Sequence, residues 1–261
     1  MRSLPSYGSW ALVTGASSGI GTAFTRALAA SGVNVVLTAR REDRLRALAS
    51  ELAPRVETRV IALDLGLEGA PLRLADAVAD LEVGILVNNA GFGMAGRFEQ
   101  ASYERLLEMV RLNCTTVTAL SRLLLPAMRA RGRGAMIVLA SAAGYQPIAY
   151  GAAYGATKAF DLMLAEALWA ENRGSGVDVL AVSPGPVDTE FQAVAGESPH
   201  AGAKPEEVVR VAFAALGRKP SVVVGSANKL RAWSVRLGPR ALVARIAATV
   251  MRANVPAEAL R

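Results

Sequence analysis

Short apolar runs rich in β-branched residues recur along the chain and alternate with longer stretches of helical periodicity. Trp10 to Val13, Asn34 to Thr38, Arg59 to Leu63 and Gly84 to Val87 read as strands, followed by Ala135 to Leu139, Val177 to Val182 and Ser221 to Val224. None shows the strict polar–apolar alternation of a sheet with one wet face, so helices must cover both faces. Strands separated by helices predict an α/β chain: a Rossmann-like doubly wound sheet of about seven parallel strands. Ligands of such a sheet bind beyond the carboxyl ends of its strands.

The helical stretches carry their own punctuation. Ser102 stands where an N-cap would precede the stretch from Tyr103. Pro205 with Glu206 and Glu207 reads as a first helical turn, its acids near the positive end of the dipole. Pro126 lies inside the long pattern from Tyr103 to Arg131 and is expected to kink or interrupt it. Towards the C-terminus, Leu242, Val243, Ile246 and Val250 share one arc of a helix from Pro239 to Arg252, with Arg245 and Arg252 opposite. Leu230, Trp233 and Leu237 form a similar stripe just before it. Residues 226–252 thus read as a C-terminal amphipathic helical extension, packed on the body or on a partner subunit.

No repeat, low-complexity tract or linker divides the 261 residues, so one domain spanning 1–261 is expected, and 52% hydrophobic composition supplies a large core. The single cysteine, Cys114, rules out an internal disulfide and a cysteine-based zinc site, and is expected as a small buried core residue. His200 is the sole histidine, in a Gly/Pro/Ala-rich loop, which argues against a histidine-dependent triad or a histidine-rich metal centre. The first thirteen residues hold one arginine and a short apolar patch, too little for a secretory signal, and no run of about 18 apolar residues could span a bilayer. A cytoplasmic location is expected.

The net charge of +7 is unevenly spread: residues 218–261 hold nine Lys/Arg against one acid, Glu258, which leaves the preceding residues at −1. Basicity therefore belongs to a tail. No nucleic-acid recognition motif accompanies it, so no specific nucleic acid is expected. A basic amphipathic tail is compatible with peripheral contact to anionic membrane or to an acidic carrier protein.

Candidate chemistry begins in the turn after the first strand, Thr14-Gly15-Ala16-Ser17-Ser18-Gly19-Ile20-Gly21. Its glycines permit a tight turn and close approach of backbone to a pyrophosphate, and the following helix presents N-terminal amides to anionic oxygens. By itself it is also an ordinary strand-to-helix turn. Preceded by a strand and followed by an apolar helical pattern to Ala30, it reads as dinucleotide-binding. The second strand ends in Thr38-Ala39-Arg40-Arg41, where an acid would bind the ribose hydroxyls of NAD and arginine favours a 2′-phosphate, so NADP is the expected cofactor. Asn88-Asn89-Ala90-Gly91 follows the fourth strand and is also common turn chemistry.

Tyr154 and Lys158 stand at i and i+4, on one helix face, with Ser141 upstream at the end of the fifth strand. A free tyrosine titrates at about 10, and an adjacent cation lowers such a value by about 1–3 units. A phenol beside an ammonium is a usable acid for proton transfer to a carbonyl oxygen.

Together, Thr14 to Gly21, Asn88 to Gly91, Asn113, Ser141, Tyr154, Lys158 and Pro184-Gly185 stand in an order and spacing that resembles the short-chain dehydrogenase/reductase superfamily, in its short, single-domain, NADP-preferring branch. The likeness covers roughly residues 8–225. It implies Tyr154 as general acid/base, with Lys158 lowering its pKa and binding nicotinamide ribose, Ser141 orienting the substrate oxygen and Asn113 supporting a water-linked proton relay. It implies cofactor contacts from Gly15, Ser17, Ser18, Gly19, Ile20, Gly21, Arg40, Asp64, Leu65, Asn88, Ala90, Pro184, Val187 and Thr189, besides Tyr154 and Lys158. Members commonly pair through helices corresponding to 103–131 and 152–170, so a homodimer or homotetramer is expected. The tail departs from the family's minimal length and is similar to a bacterial branch related to fatty-acyl and hydroxysteroid carbonyl reductases.

The resulting expectation is an NADP(H)-dependent oxidoreductase interconverting a carbonyl and an alcohol. Phe92 to Met94, Tyr145 to Tyr150 and the 186–203 loop with Phe191 and Val194 are mostly apolar, which points to a hydrophobic substrate. Two other readings stand beside it: a non-catalytic NADP-binding regulator, and a scaffold protein dominated by its basic tail.

Overall fold

The computed structural model describes residues 3–198, 201–235, 237–252 and 255–256; His200, Arg236, Glu258 and Arg261 lie outside the described residues. The strands are β1 (Trp10–Thr14), β2 (Asn34–Ala39), β3 (Thr58–Ala62), β4 (Val83–Asn88), β5 (Gly134–Leu139), β6 (Val177–Ser183) and β7 (Ser221–Val223). They form a 7-stranded sheet in the order β3-β2-β1-β4-β5-β6-β7, with every neighbouring pair parallel. The order reverses between β1 and β4, which opens a crevice at their carboxyl ends.

The pleat divides the core into two layers. Ala11, Val13, Ile85, Val87, Ile137 and Leu180 face one side, where α1 (Gly19–Ala30), α2 (Glu42–Leu52) and α8 (Pro205–Ala215) contribute Phe24, Leu28, Leu45 and Val208. Leu12, Leu86, Met136 and Val179 face the other, against α3 (Ala70–Asp76), α5 (Thr116–Ala130) and α6 (Ala152–Glu171), through Leu74, Leu120, Met128 and Leu162. Burial on both faces is why these strands lack alternation.

Ser102 caps α4 (Tyr103–Val110), its hydroxyl accepting from the Arg105 amide at 3.2 Å, and Pro205 opens α8. Pro126 does not break the long pattern: it lies within α5 on an exposed face. The carbonyl it deprives of a partner belongs to exposed Arg122, where water can serve instead. The interruption falls earlier, in a π-turn over Arg111–Thr115 that separates α4 from α5. Beyond α7 (Phe191–Ala195) and α8 come the tail helices α9 (Ser226–Ser234) and α10 (Arg240–Arg252). Each buries one small residue, Ala232 and Ala247, while Leu230, Trp233 and Leu237 remain largely exposed. No helix among the described residues is long and apolar enough to cross a membrane.

Candidate active site

The carboxyl ends of β1, β4, β5 and β6 converge on a cavity of about 730 Å³. Its floor is the turn between β1 and α1. Gly15 (φ 68°) and Gly19 (φ 51°) take left-handed conformations there, and a Cβ on Gly21 would collide with the Gly15 carbonyl oxygen and the Asn89 amide. The turn thus needs bare backbone at close quarters. Thr14 ties it to β4, accepting from the Asn89 and Ala90 amides at 2.9 Å each, and the Asn89 side chain donates to the Thr14 carbonyl at 2.8 Å.

The expected cofactor contacts divide into two groups. Gly15, Ser17, Ser18, Gly19, Ile20, Arg40, Asp64, Leu65, Ala90, Tyr154, Lys158, Pro184, Val187 and Thr189 all line the cavity. Gly21 lies behind its wall. Asn88 is turned away from it, its amide donating to Ser121 at 3.2 Å, and the next residue, Asn89, lines the cavity in its place. Of the two arginines, Arg40 is 60% exposed and loosely paired with Asp64 and Glu108 at 3.9 and 3.7 Å. Arg41 is held more firmly, donating to Ser17 at 3.3 Å and to Glu190 at 2.7 Å.

Ser141 lies two residues beyond the end of β5 and caps a 3-10 turn over Ala142–Tyr145, accepting from the Ala143 amide at 3.1 Å. Gly144 lets that turn press against α6: a Cβ there would lie 2.6 Å from the Lys158 carbonyl oxygen. Tyr154 in the first turn of α6 is thereby brought beside Ser141 on the cavity wall, and its ring packs on Phe191 at 5.5 Å between centroids. Asn113 sits fully buried in the π-turn, its side chain donating to the Phe92 carbonyl and to Thr157, each at 3.0 Å. An irregular turn of this kind frees helical backbone groups at a functional site.

Lys158 is also buried. Its ammonium donates to the Leu139 carbonyl at 2.6 Å and to Asp161 at 2.9 Å. Burial works against that ammonium, but Asp161 and Tyr154 more than offset it, so its pKa lies above the ordinary lysine value. For Tyr154, burial outweighs Lys158 and the Ser141 hydrogen bond, so the phenol lies above its ordinary value, whereas the Tyr-Lys spacing alone suggested a lowered one. Cys114 is half-buried rather than part of the core, and burial first, then the charge of Asp161, pushes its thiol up to about 11, which leaves it protonated at neutral pH.

The substrate side of the cavity is apolar. Phe92, Met94, Ile148, Tyr150, Phe191 and Val194 line it, from the segments expected to do so. The tail completes the wall: Val235, Leu242, Val243, Ile246, Ala247 and Val250 face the same cavity. Amphipathic periodicity revealed their stripe but not what it faces. Asp161 was likewise missed, although its place three residues after Lys158 on one helix was the available signal.

The family model for short chain dehydrogenases matches residues 9–199. A 7beta-hydroxysteroid dehydrogenase of Collinsella aerofaciens is 34% identical over 232 residues, covering 85% of this chain and 88% of that protein. The human very-long-chain 3-oxoacyl-CoA reductase is 35% identical over 190 residues, and the match spans only 60% of its length. Among solved structures, one described for insights into 7beta-hydroxysteroid dehydrogenase stereoselectivity superposes with a TM-score of 0.87 at 30% identity, covering 95% of this chain and 99% of its own. A short-chain dehydrogenase from Sphingobium yanoikuyae in complex with NADPH gives 0.79 at 31% identity, covering 88% and 94%.

Proposed function

Because this chain belongs to the short-chain dehydrogenase family, we propose that it is an NADP(H)-dependent oxidoreductase that interconverts a carbonyl and an alcohol on a hydrophobic substrate. The observation that carries this reading is the meeting of Tyr154, Ser141 and Lys158 on one wall of a largely apolar cavity whose floor is a glycine turn. The turn at Gly15 and Gly19 and the arginines Arg40 and Arg41 suit a dinucleotide bearing an extra phosphate, since bare backbone and cations both favour anionic oxygens. When bound, the cofactor supplies or accepts the hydride.

In reduction Tyr154 gives its phenolic proton to the substrate carbonyl oxygen, and in oxidation it takes the alcohol proton back. Ser141 holds the same oxygen by a hydrogen bond and stabilises negative charge that develops on it. Asn113 and the Leu139 carbonyl hold the frame around Lys158. The apolar wall keeps water from the reacting oxygen and orients an extended or polycyclic substrate by contact alone.

Two finer points follow. Exposed Tyr103, Leu107, Phe160 and Met163 on neighbouring helices α4 and α6 support a homo-oligomer built through that face. The tail faces the cavity mainly with apolar residues, though Arg231 also lines it, and its remaining cations support contact with an anionic surface.

The test is turnover of NADPH on a panel of hydrophobic ketones. Tyr154→Phe should bind NADPH as the unmodified protein does while reduction falls by about 10²–10⁴-fold. Undiminished reduction by that variant would remove Tyr154 from the chemistry, and NADPH binding without turnover of any carbonyl would favour the regulator.

A further inference from the structure

Asp161 is a carboxylate where the fold has no evident need of one. Its side chain is 1% exposed, and one oxygen, Oδ1, has no hydrogen-bond partner among the described residues. The other oxygen accepts from the Lys158 ammonium at 2.9 Å. Burying a charge with half its acceptor capacity unused is costly, and a well-packed apolar residue generally does better for stability. Leu162 and Ala165 show that this face of α6 otherwise carries apolar residues into the core. The hydrogen bonding of Asp161 is thus spent on Lys158 alone.

We propose that Asp161 is a positioning residue: it fixes the Lys158 ammonium between itself and the Leu139 carbonyl, offsets part of its charge, and so favours the protonated form of Tyr154 that donates to a carbonyl. The inference rests on Tyr154 being the acid/base group. A cation without a counter-ion stabilises a neighbouring phenolate, while a cation paired at 2.9 Å does so less, although Lys158 still acts on Tyr154 more strongly than Asp161. Burial acts the same way, holding the Tyr154 phenol above its ordinary value. The other titratable groups near the pair are Cys114 from the π-turn, which stays neutral, and Glu197 beyond α7, whose charge opposes the phenolate more strongly than that of Asp161.

The sign of the effect follows. Removing the Asp161 charge while Lys158 keeps its proton favours the tyrosinate, so the Tyr154 pKa falls. In Asp161→Asn the alkaline limb of reduction and the rising limb of alcohol oxidation should both move to lower pH by about one unit, which makes oxidation below the original limb about tenfold faster. Asp161→Leu should move them equally, because it removes the same charge with different packing. NADPH titration and melting temperature establish that each variant is folded. Unmoved or upward-moved limbs in a folded variant would overturn the proposal, as would failure of both variants to fold, which would make the pair structural. If Tyr154→Phe stayed active, the acid/base reading itself would fall. If that variant were inactive while the Asp161 variants kept the original limbs, only the role of Asp161 would.

Discussion

Arg40 and Arg41 are adjacent in sequence but differ in what holds them. Arg40 extends into solvent between two distant carboxylates, whereas Arg41 is drawn onto Ser17 in the glycine turn and shares Glu190 with Arg44. Hydrogen bonds from Arg44 and Arg41 hold the Glu190 carboxyl below its usual range, so this clasp persists at neutral pH and is lost only as pH falls through that lowered value. A ligand phosphate would compete with Glu190 for Arg41. Glu190→Gln is therefore expected to tighten NADPH several-fold and leave NADH unchanged, as read by fluorescence titration, and Arg41→Ala should weaken NADPH at least as much as Arg40→Asp. Equal NADPH affinity in Glu190→Gln and the unmodified protein would show that the clasp does not compete. The residue types at the end of β2 disclosed a basic site, but which arginine meets the turn depends on Glu190, far along the chain, and no local pattern carries that information.

At the scale of elements, the strands were legible because most are short β-branched runs that the sheet buries on both faces, the edge strands β3 and β7 only partly, and their boundaries moved by only a residue or so. The helical stretch from Tyr103 to Arg131 was legible in type but not in shape. Proline signalled a break at Pro126, yet its missing hydrogen bond falls on the solvent side. The real irregularity, at Arg111–Thr115, has no proline or glycine to announce it. Its cause is tertiary: Asn113 turns inward to bond Phe92 and Thr157 on neighbouring segments. These two irregularities respond differently to substitution. Pro126→Ala restores a helical N–H on an exposed face and should stabilise the protein by about 1 kcal/mol or more without changing turnover. Asn113→Ala removes buried hydrogen bonds and should cost about 1–3 kcal/mol, together with activity. Thermal melts of the two variants moving in the same direction would contradict this division.

At the scale of the whole molecule, two exposed apolar faces differ in charge, and the difference decides what each can meet. The α4–α6 face sets exposed Glu104 and Arg111 beside Tyr103, Leu107 and Met163. A two-fold contact lays such a face on its own copy, and a mixed face tolerates that. The tail cannot do the same at equal ease: from Arg218 to Arg252 it contains no acid, so two copies meeting there would set cation against cation. The sequence disclosed this charge and the apolar stripe, but Leu242, Ile246 and Val250 line the cavity mouth while staying about half exposed, and Leu230, Trp233 and Leu237 lie outside it. Met163→Asp should therefore reduce the mass measured by light scattering to that of a monomer, at low and high salt alike. Binding to vesicles rich in anionic lipid should instead fall with added salt, since exposed charges are screened over about 8 Å at physiological ionic strength, and with Arg240→Gln and Arg245→Gln, while remaining intact in Met163→Asp. A protein whose mass ignored Met163→Asp but dropped with Leu230→Asp would place the subunit contact on the tail, and cation repulsion would then have to be relieved by groups of the partner copy.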